Sequence, residues 1–150
     1  MKDQKSIDRL LLLHPKAREP FTTFITNAEN DLGVVLRIAQ GMRTFPEQQA
    51  IYDQGRTTPG KIVSNAKPGS SFHNYGLAID LVQIINGVAN WDFDYKQLIG
   101  YMPPGVKWGG SFRTFKDLPH FEMGFGLTWR QLLEKYDAGN FIPGTKFVNI

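Results

Sequence analysis

Ten residues, Ser71-Phe-His-Asn-Tyr-Gly-Leu-Ala-Ile-Asp80, constrain this chain more than any other stretch. After Gly76, where a chain can turn tightly, Leu77, Ile79 and Leu81 alternate with Ala78, Asp80 and Val82. That period predicts a strand over 77–84 with one aliphatic face and the Asp80 carboxylate on the other. The small Ala78 beside it leaves room for a ligand. His73, just before the strand, can fold back toward the same point. One imidazole and one carboxylate make half of a zinc site, so a second cluster is required.

That cluster is Asp117-Leu-Pro-His-Phe-Glu122. Pro119 disfavours a helix and predicts an extended entry into a strand over 120–123. His120 and Glu122 then share one face, and Phe121 and Met123 the other. Asp117 falls on the loop that leads in. Two His and one Asp as ligands, with a free carboxylate nearby, suit a hydrolytic zinc site. Three protein ligands leave a position for water, whose pKa the metal lowers and whose proton a carboxylate can accept. Glu122 reads either as a hydrogen-bond partner for a ligand or as an ordinary strand carboxylate.

The 150 residues suffice for one domain with a real core, expected to occupy about 6–136. Eleven Phe in a chain that is 41% hydrophobic indicate a globular protein. The chain has no Cys, which excludes a disulfide framework, a thiol nucleophile and a Cys-ligated zinc. A net charge of +3 without any Lys/Arg run gives no support for nucleic-acid binding. It suits attraction to an anionic polymer, or simple solubility. No stretch approaches the roughly 20 apolar residues of a membrane span. Leu10-Leu-Leu-Leu13 ends at His14-Pro15 and lacks the flanks of a signal peptide. The expectation is synthesis in the cytoplasm, with action elsewhere only after release.

Along the chain, Ser6 predicts the cap of a short helix over 7–13, closed by Pro15. His14, at that helix end, reads as structural. A longer helix is expected over 17–32, with Pro20 in its first turn and Gly33 ending it. Its stripe of Phe21, Phe24, Ile25 and Ala28 belongs to the core. A strand over 34–38 leads to Arg43, and a helix from Thr44 to about residue 52 follows. Residues 55–69 form a long loop bordering a cleft. Ser71 lacks a nucleophile elbow, so its hydroxyl is expected to orient a ligand or the loop. Asn86-Gly87 marks a hairpin turn. Asp92 and Asp94 read as helix caps before a short helix over 95–99 rather than as a calcium loop. A strand ends at Trp108, which fits either the core or a cleft wall. Thr128 caps a last helix over 129–136, and residues 139–150 form an irregular tail. The predicted class is α+β: a small antiparallel sheet carrying the site, with helices packed on one side.

Ser71-x-His73-x-x-Gly76-x-Ala78-x-Asp80 followed by Asp117-x-x-His120 resembles the signature of the lysostaphin/D-Ala-D-Ala-peptidase/hedgehog zinc fold. The similarity is greatest to its D-alanyl-D-alanine carboxypeptidase-like branch, and there to L-alanyl-D-glutamate endopeptidases of phage endolysins and bacterial wall hydrolases. It extends upstream through Gly41-Met-Arg-Thr-Phe-Pro-Glu-Gln48 and Tyr52-Asp-Gln-Gly-Arg56, and downstream through Trp108-Gly-Gly110. The resemblance implies one zinc per chain on His73, Asp80 and His120, with Asp117 as base. It implies that Arg43 serves the oxyanion or a substrate carboxylate and that Gln48 lines the substrate groove; Ser71 and Trp108 are expected to meet the substrate beside it. The implied substrate is the peptidoglycan stem peptide, cut by a monomer without membrane insertion. Asp rather than Glu at 117 favours the endopeptidase branch. A D,D- or L,D-carboxypeptidase and a non-catalytic hedgehog-like binding module remain as alternatives on the same scaffold.

Overall fold

Asp3, rather than Ser6, caps the first helix. The computed structural model describes residues 1–150. In it, helix α1 spans Gln4–Leu10, and the Asp3 carboxylate accepts from the backbone N–H of Ser6 at 2.9 Å. Ser6 is used elsewhere: its buried hydroxyl accepts from the Ile38 N–H at 2.8 Å, tying the helix to the sheet. Arg37 pairs with Asp3 at 2.7 Å from the same strand.

Helix α2, Pro15–Leu32, starts earlier than expected. His14 caps it, and Pro15 opens it instead of closing the preceding helix, because the first helical position needs no N–H donor. Pro20 consequently lies inside the helix. The stripe Phe21, Phe24, Ile25 and Ala28 is fully buried, and Phe24 meets Phe121 of the sheet edge-on at 5.1 Å.

The sheet is antiparallel throughout. Its strands are β1 (Leu36–Gln40), β2 (Ala78–Ile85), β3 (Val88–Asn90), β4 (Val106–Trp108) and β5 (His120–Met123). Their order is β1-β2-β5-β4, with β3 pairing the far end of β2. β1 begins two residues later than the sequence suggests, since pairing starts at Leu36 opposite Gln83. Asn86 and Gly87 turn the β2–β3 hairpin with φ of 50° and 79°, the two positive angles a tight hairpin requires.

Alternation sorts the two faces. Leu36, Ile38, Ile79, Leu81 and Phe121 are fully buried on the α2 side. Asp80 and His120 are directly paired across β2 and β5, and they point to the opposite face together. Helix α3, Phe45–Asp53, is capped by Thr44, and helix α4, Trp129–Asp137, by Thr128. The expected helix at 95–99 is a 3₁₀ segment, Tyr95–Tyr101, with Asp94 as its cap.

The C-terminal tail is better anchored than its composition suggests. Phe141 bridges to Val148, and buried Val148 presents its carbonyl to the His14 imidazole Nε2 at 2.8 Å. The tail therefore packs on the junction between α1 and α2. That junction also supports the site, because the His14 N–H donates to the Gly76 carbonyl at 3.0 Å. A Cβ on Gly76 would lie 2.6 Å from the His14 nitrogen, so only glycine fits between them.

Candidate metal centre and cleft

His73, Asp80 and His120 converge. His73 Nε2 lies 3.2 Å from Asp80 Oδ1 and 3.2 Å from His120 Nδ1, and His120 Nδ1 lies 3.1 Å from Asp80 Oδ1. His73 comes from a 3₁₀ turn, Phe72–Tyr75, that Ser71 caps with its side-chain oxygen. Asp80 and His120 come from paired strands, so their separation is set by the ladder.

The remaining ring nitrogens fix the tautomers. His73 Nδ1 faces the Gly41 carbonyl at 2.8 Å, and His120 Nε2 faces Glu122 Oε2 at 2.8 Å. Each outer partner only accepts, so each outer nitrogen carries the hydrogen. In the neutral rings, His73 Nε2 and His120 Nδ1 are then both lone pairs, aimed at each other and at a carboxylate oxygen. Three acceptors around one point lack a positive charge at their centre. A cation with nitrogen and oxygen ligands fits this donor set.

The carboxylates around the triad favour positive charge at this point. Burial alone would raise the Asp80 carboxyl, but hydrogen bonds with His120 and His73 outweigh it and hold Asp80 well below the usual carboxylate range. Burial alone would lower His120, yet the Asp80 and Glu122 carboxylates push it up to about 9. Asp117 shifts the other way: burial, and then the Asp80 charge, raise its carboxyl above the ordinary value.

Asp117 stands outside the ligand triad, on the wall of the cleft that contains it. Its loop is seated on Gly109, whose carbonyl accepts from the Asp117 N–H at 3.1 Å. A Cβ on Gly109 would fall 2.2 Å from the Asp117 carbonyl oxygen. The glycine after Trp108 thus permits the approach that brings Asp117 beside His120.

The family model for D-alanyl-D-alanine carboxypeptidase matches residues 64–123, the segment carrying all three converging residues and Asp117. The peptidoglycan L-alanyl-D-glutamate endopeptidase CwlK of Bacillus subtilis (strain 168) is 38% identical over 123 residues, covering 74% of this chain and 73% of CwlK. The chain belongs to the M15 peptidase family. Among solved structures, the Serratia marcescens L-Ala D-Glu endopeptidase ChiX superposes with a TM-score of 0.57 at 26% identity, over 81% of this chain and 88% of that one. The vancomycin-resistance D,D-dipeptidase VanXYg shares the fold with a TM-score of 0.55 at 18% identity, over 87% of this chain and 61% of that one. Peptidases of the M15 family are zinc-dependent in general.

Within this M15 scaffold, three expected substrate contacts separate. Ser71 lines the cleft and also caps the turn carrying His73. Gln48 does not reach the cleft. It has no exposed surface; its Oε1 accepts from Arg43 Nη1 at 3.1 Å and Asn74 Nδ2 at 3.4 Å, and its Nε2 donates to the Ala66 carbonyl at 2.8 Å. Trp108 is 7% exposed, lies over Gly110 and donates its indole N–H to the Leu118 carbonyl at 2.7 Å. It is a core residue bracing the loop that carries Asp117, not a cleft wall.

Arg43 does line the cleft, and its Nε is buried without a hydrogen-bond partner. Burial lowers its pKa against the attraction of Asp80, Glu47 and Asp117. Sequence reasoning missed Asn74, which joins the two halves of the site. Its side-chain nitrogen donates to the Arg43 carbonyl at 3.0 Å, while its oxygen accepts from Gly69 N at 3.0 Å. Ser71 and Asn74 form a capping box, so their three-residue spacing was the available signal.

Proposed function

We propose that this M15 peptidase is a zinc-dependent peptidoglycan hydrolase that cuts the stem peptide between L-alanine and D-glutamate. The similarity to CwlK carries this reading, because it covers 74% of this chain and 73% of CwlK. ChiX, an L-Ala D-Glu endopeptidase, supports it independently through structure. One zinc per chain would be held by His73 Nε2, Asp80 Oδ1 and His120 Nδ1. Bound there, zinc lowers the pKa of a coordinated water and polarises a carbonyl oxygen.

The chain's own residues do the rest. Glu122 and the Gly41 carbonyl hold the two imidazoles in the tautomers that present lone pairs inward. Asp117 accepts the proton of the attacking water and passes it to the leaving amine. Its raised affinity for a proton, caused by burial and the Asp80 charge, suits that role. Arg43, which lines the cleft, offers its guanidinium to the developing oxyanion or to a substrate carboxylate. Such acid–base help is worth roughly 10²–10⁴ in rate. The domain is read as a single catalytic unit acting as a monomer on the wall. No helix is long and apolar enough to cross a membrane.

Mass spectrometry of peptides released from purified walls tests the reading. New amino-terminal D-glutamate with retained carboxy-terminal residues is expected. Loss of a terminal D-alanine alone would reassign the enzyme as a carboxypeptidase.

A further inference from the structure

The cleft is larger than a dipeptide needs. Its volume is about 1120 Å³, at the upper end for ligand sites. Its catalytic floor is charged, but the adjoining wall is not. Along Phe112-Arg113-Thr114-Phe115-Lys116, the residues facing the cleft are Phe112, Thr114 and Phe115, while neither Arg113 nor Lys116 lines it. Arg43 is the lining's one Lys or Arg. Trp91, just after the β2–β3 hairpin, lines the same cleft.

Two of these rings are left open to solvent. Trp91 is 52% exposed and Phe115 59% exposed, and Phe115 is held at a φ of +50°, which a bulky residue rarely adopts. Open aromatic faces beside a polar site mark a ligand surface. The charge pattern selects the ligand. The glutamate of the stem peptide carries a free carboxylate and would call for a cation on the wall that meets it. An amino-sugar ring is neutral, with apolar C–H faces and polar edges. Aromatic planes with the Thr114 hydroxyl between them in sequence match such a ring.

Resting on the proposed cleavage site, we propose that Trp91, Thr114 and Phe115 form a subsite for the glycan strand of peptidoglycan, binding the amino sugar that bears the stem peptide. The stem's L-alanine is joined to the lactyl group of that sugar. A bond on the far side of L-alanine lies one residue from the glycan, so an enzyme cutting there meets the sugar close to its catalytic centre. The subsite is continuous with the catalytic cleft and explains why that cleft extends past the metal ligands.

The test compares two substrates on the zinc-loaded enzyme: a free L-Ala-D-Glu-containing tripeptide, and the same tripeptide attached to the N-acetylmuramoyl group. The parent is expected to favour the sugar-bearing substrate roughly tenfold in kcat/KM, mainly through KM, as two aromatic contacts can supply. Trp91→Ala and Phe115→Ala should each shrink that ratio severalfold, and Trp91→Phe should restore part of it. Zinc content and thermal midpoint, measured alongside, identify a variant that has merely lost its fold; Trp91→Phe then carries the comparison. A parent ratio near one, or an undiminished ratio in the variants, would overturn the subsite. If neither substrate is cut between alanine and glutamate, the proposed cleavage site fails, and the subsite with it.

Discussion

Arg43 Nη1 donates to Gln48 Oε1 at 3.1 Å, although Gln48 has no surface of its own. The contact makes Gln48 a positioning residue. It orients Arg43 while joining it to Asn74 of the turn that carries His73, and to the cleft wall at Ala66. Gln48→Leu keeps the volume but removes a hydrogen bond from Arg43 Nη1 and from the Ala66 carbonyl, and the weaker of the two that Asn74 Nδ2 makes. Each buried unsatisfied group costs about 1–3 kcal/mol. A thermal midpoint lower by several degrees is expected, with kcat reduced more than KM is raised and zinc content retained. Unchanged kinetics in a folded variant would remove Gln48 from the site's support.

Glu122 reaches the converging triad through His120. Its Oε2 lies 2.8 Å from His120 Nε2, and the two residues share one strand face. Glu122→Gln leaves the shape but weakens the acceptor for the ring hydrogen. Zinc affinity, measured by chelator competition, should fall about 10- to 100-fold. Equal affinity in parent and variant would show that the contact does not tune the ligand.

The converging triad was legible because each of its members sits at a fixed register. The alternation around Asp80 and His120 decides which face their side chains take, and strand pairing then brings them together. Gln48 is buried where a substrate contact is expected, and Trp108 takes the core position of the two its sequence allows, for a physical reason. Burial of a polar or aromatic side chain depends on what distant segments bring to it, here Asn74 and Ala66, or Gly110 and Leu118. For Trp108 a local hint existed: Val106 and Trp108 are buried while Lys107 between them is exposed, the signature of one core face. Trp91 and Phe115 had no such hint, since neither belongs to a periodic element. The helix starts at Asp3 and His14 were displaced because a stronger acceptor or a proline outcompeted the nearer residue.

His14 should make stability depend on pH. Burial pushes its imidazole below the ordinary value of 6.5, with Lys16 and Arg18 nearby adding to the effect and the Val148 carbonyl opposing it. Above the ordinary value the ring is neutral in both folded and unfolded chains, and its packing contributes in full. As the pH falls below 6.5, the unfolded chain takes up the proton first, so stability is lost down to the folded pKa. His14→Asn retains an oxygen able to cap α2 and does not titrate. The stability gap between parent and variant, from urea unfolding, should be widest near pH 7.5 and shrink toward pH 5. A gap independent of pH would refute the assignment.

Asp117 is where chemistry and metal binding should separate. It lies outside the triad but on the same cleft, and burial together with the Asp80 charge raises its affinity for a proton. Asp117→Asn keeps the side chain's shape and its capacity to hydrogen-bond to water, but it cannot accept the proton. Zinc content and thermal midpoint should match the parent, while wall-peptide cleavage falls roughly 10²-fold or more. Gly109→Ala supplies an independent arm. Its added methyl would meet the Asp117 carbonyl at 2.2 Å, and the loop must move away while the side-chain carboxylate remains. Cleavage should fall in that variant too, and because the methyl would also lie 3.0 Å from the His120 Cβ, its zinc content is measured alongside. If Asp117→Asn cleaves at near the parental rate, Asp117 is not the base, and Glu122 on the same cleft becomes the next carboxylate to test. If the variant loses its zinc instead, Asp117 is a ligand and the His73–Asp80–His120 set is incomplete.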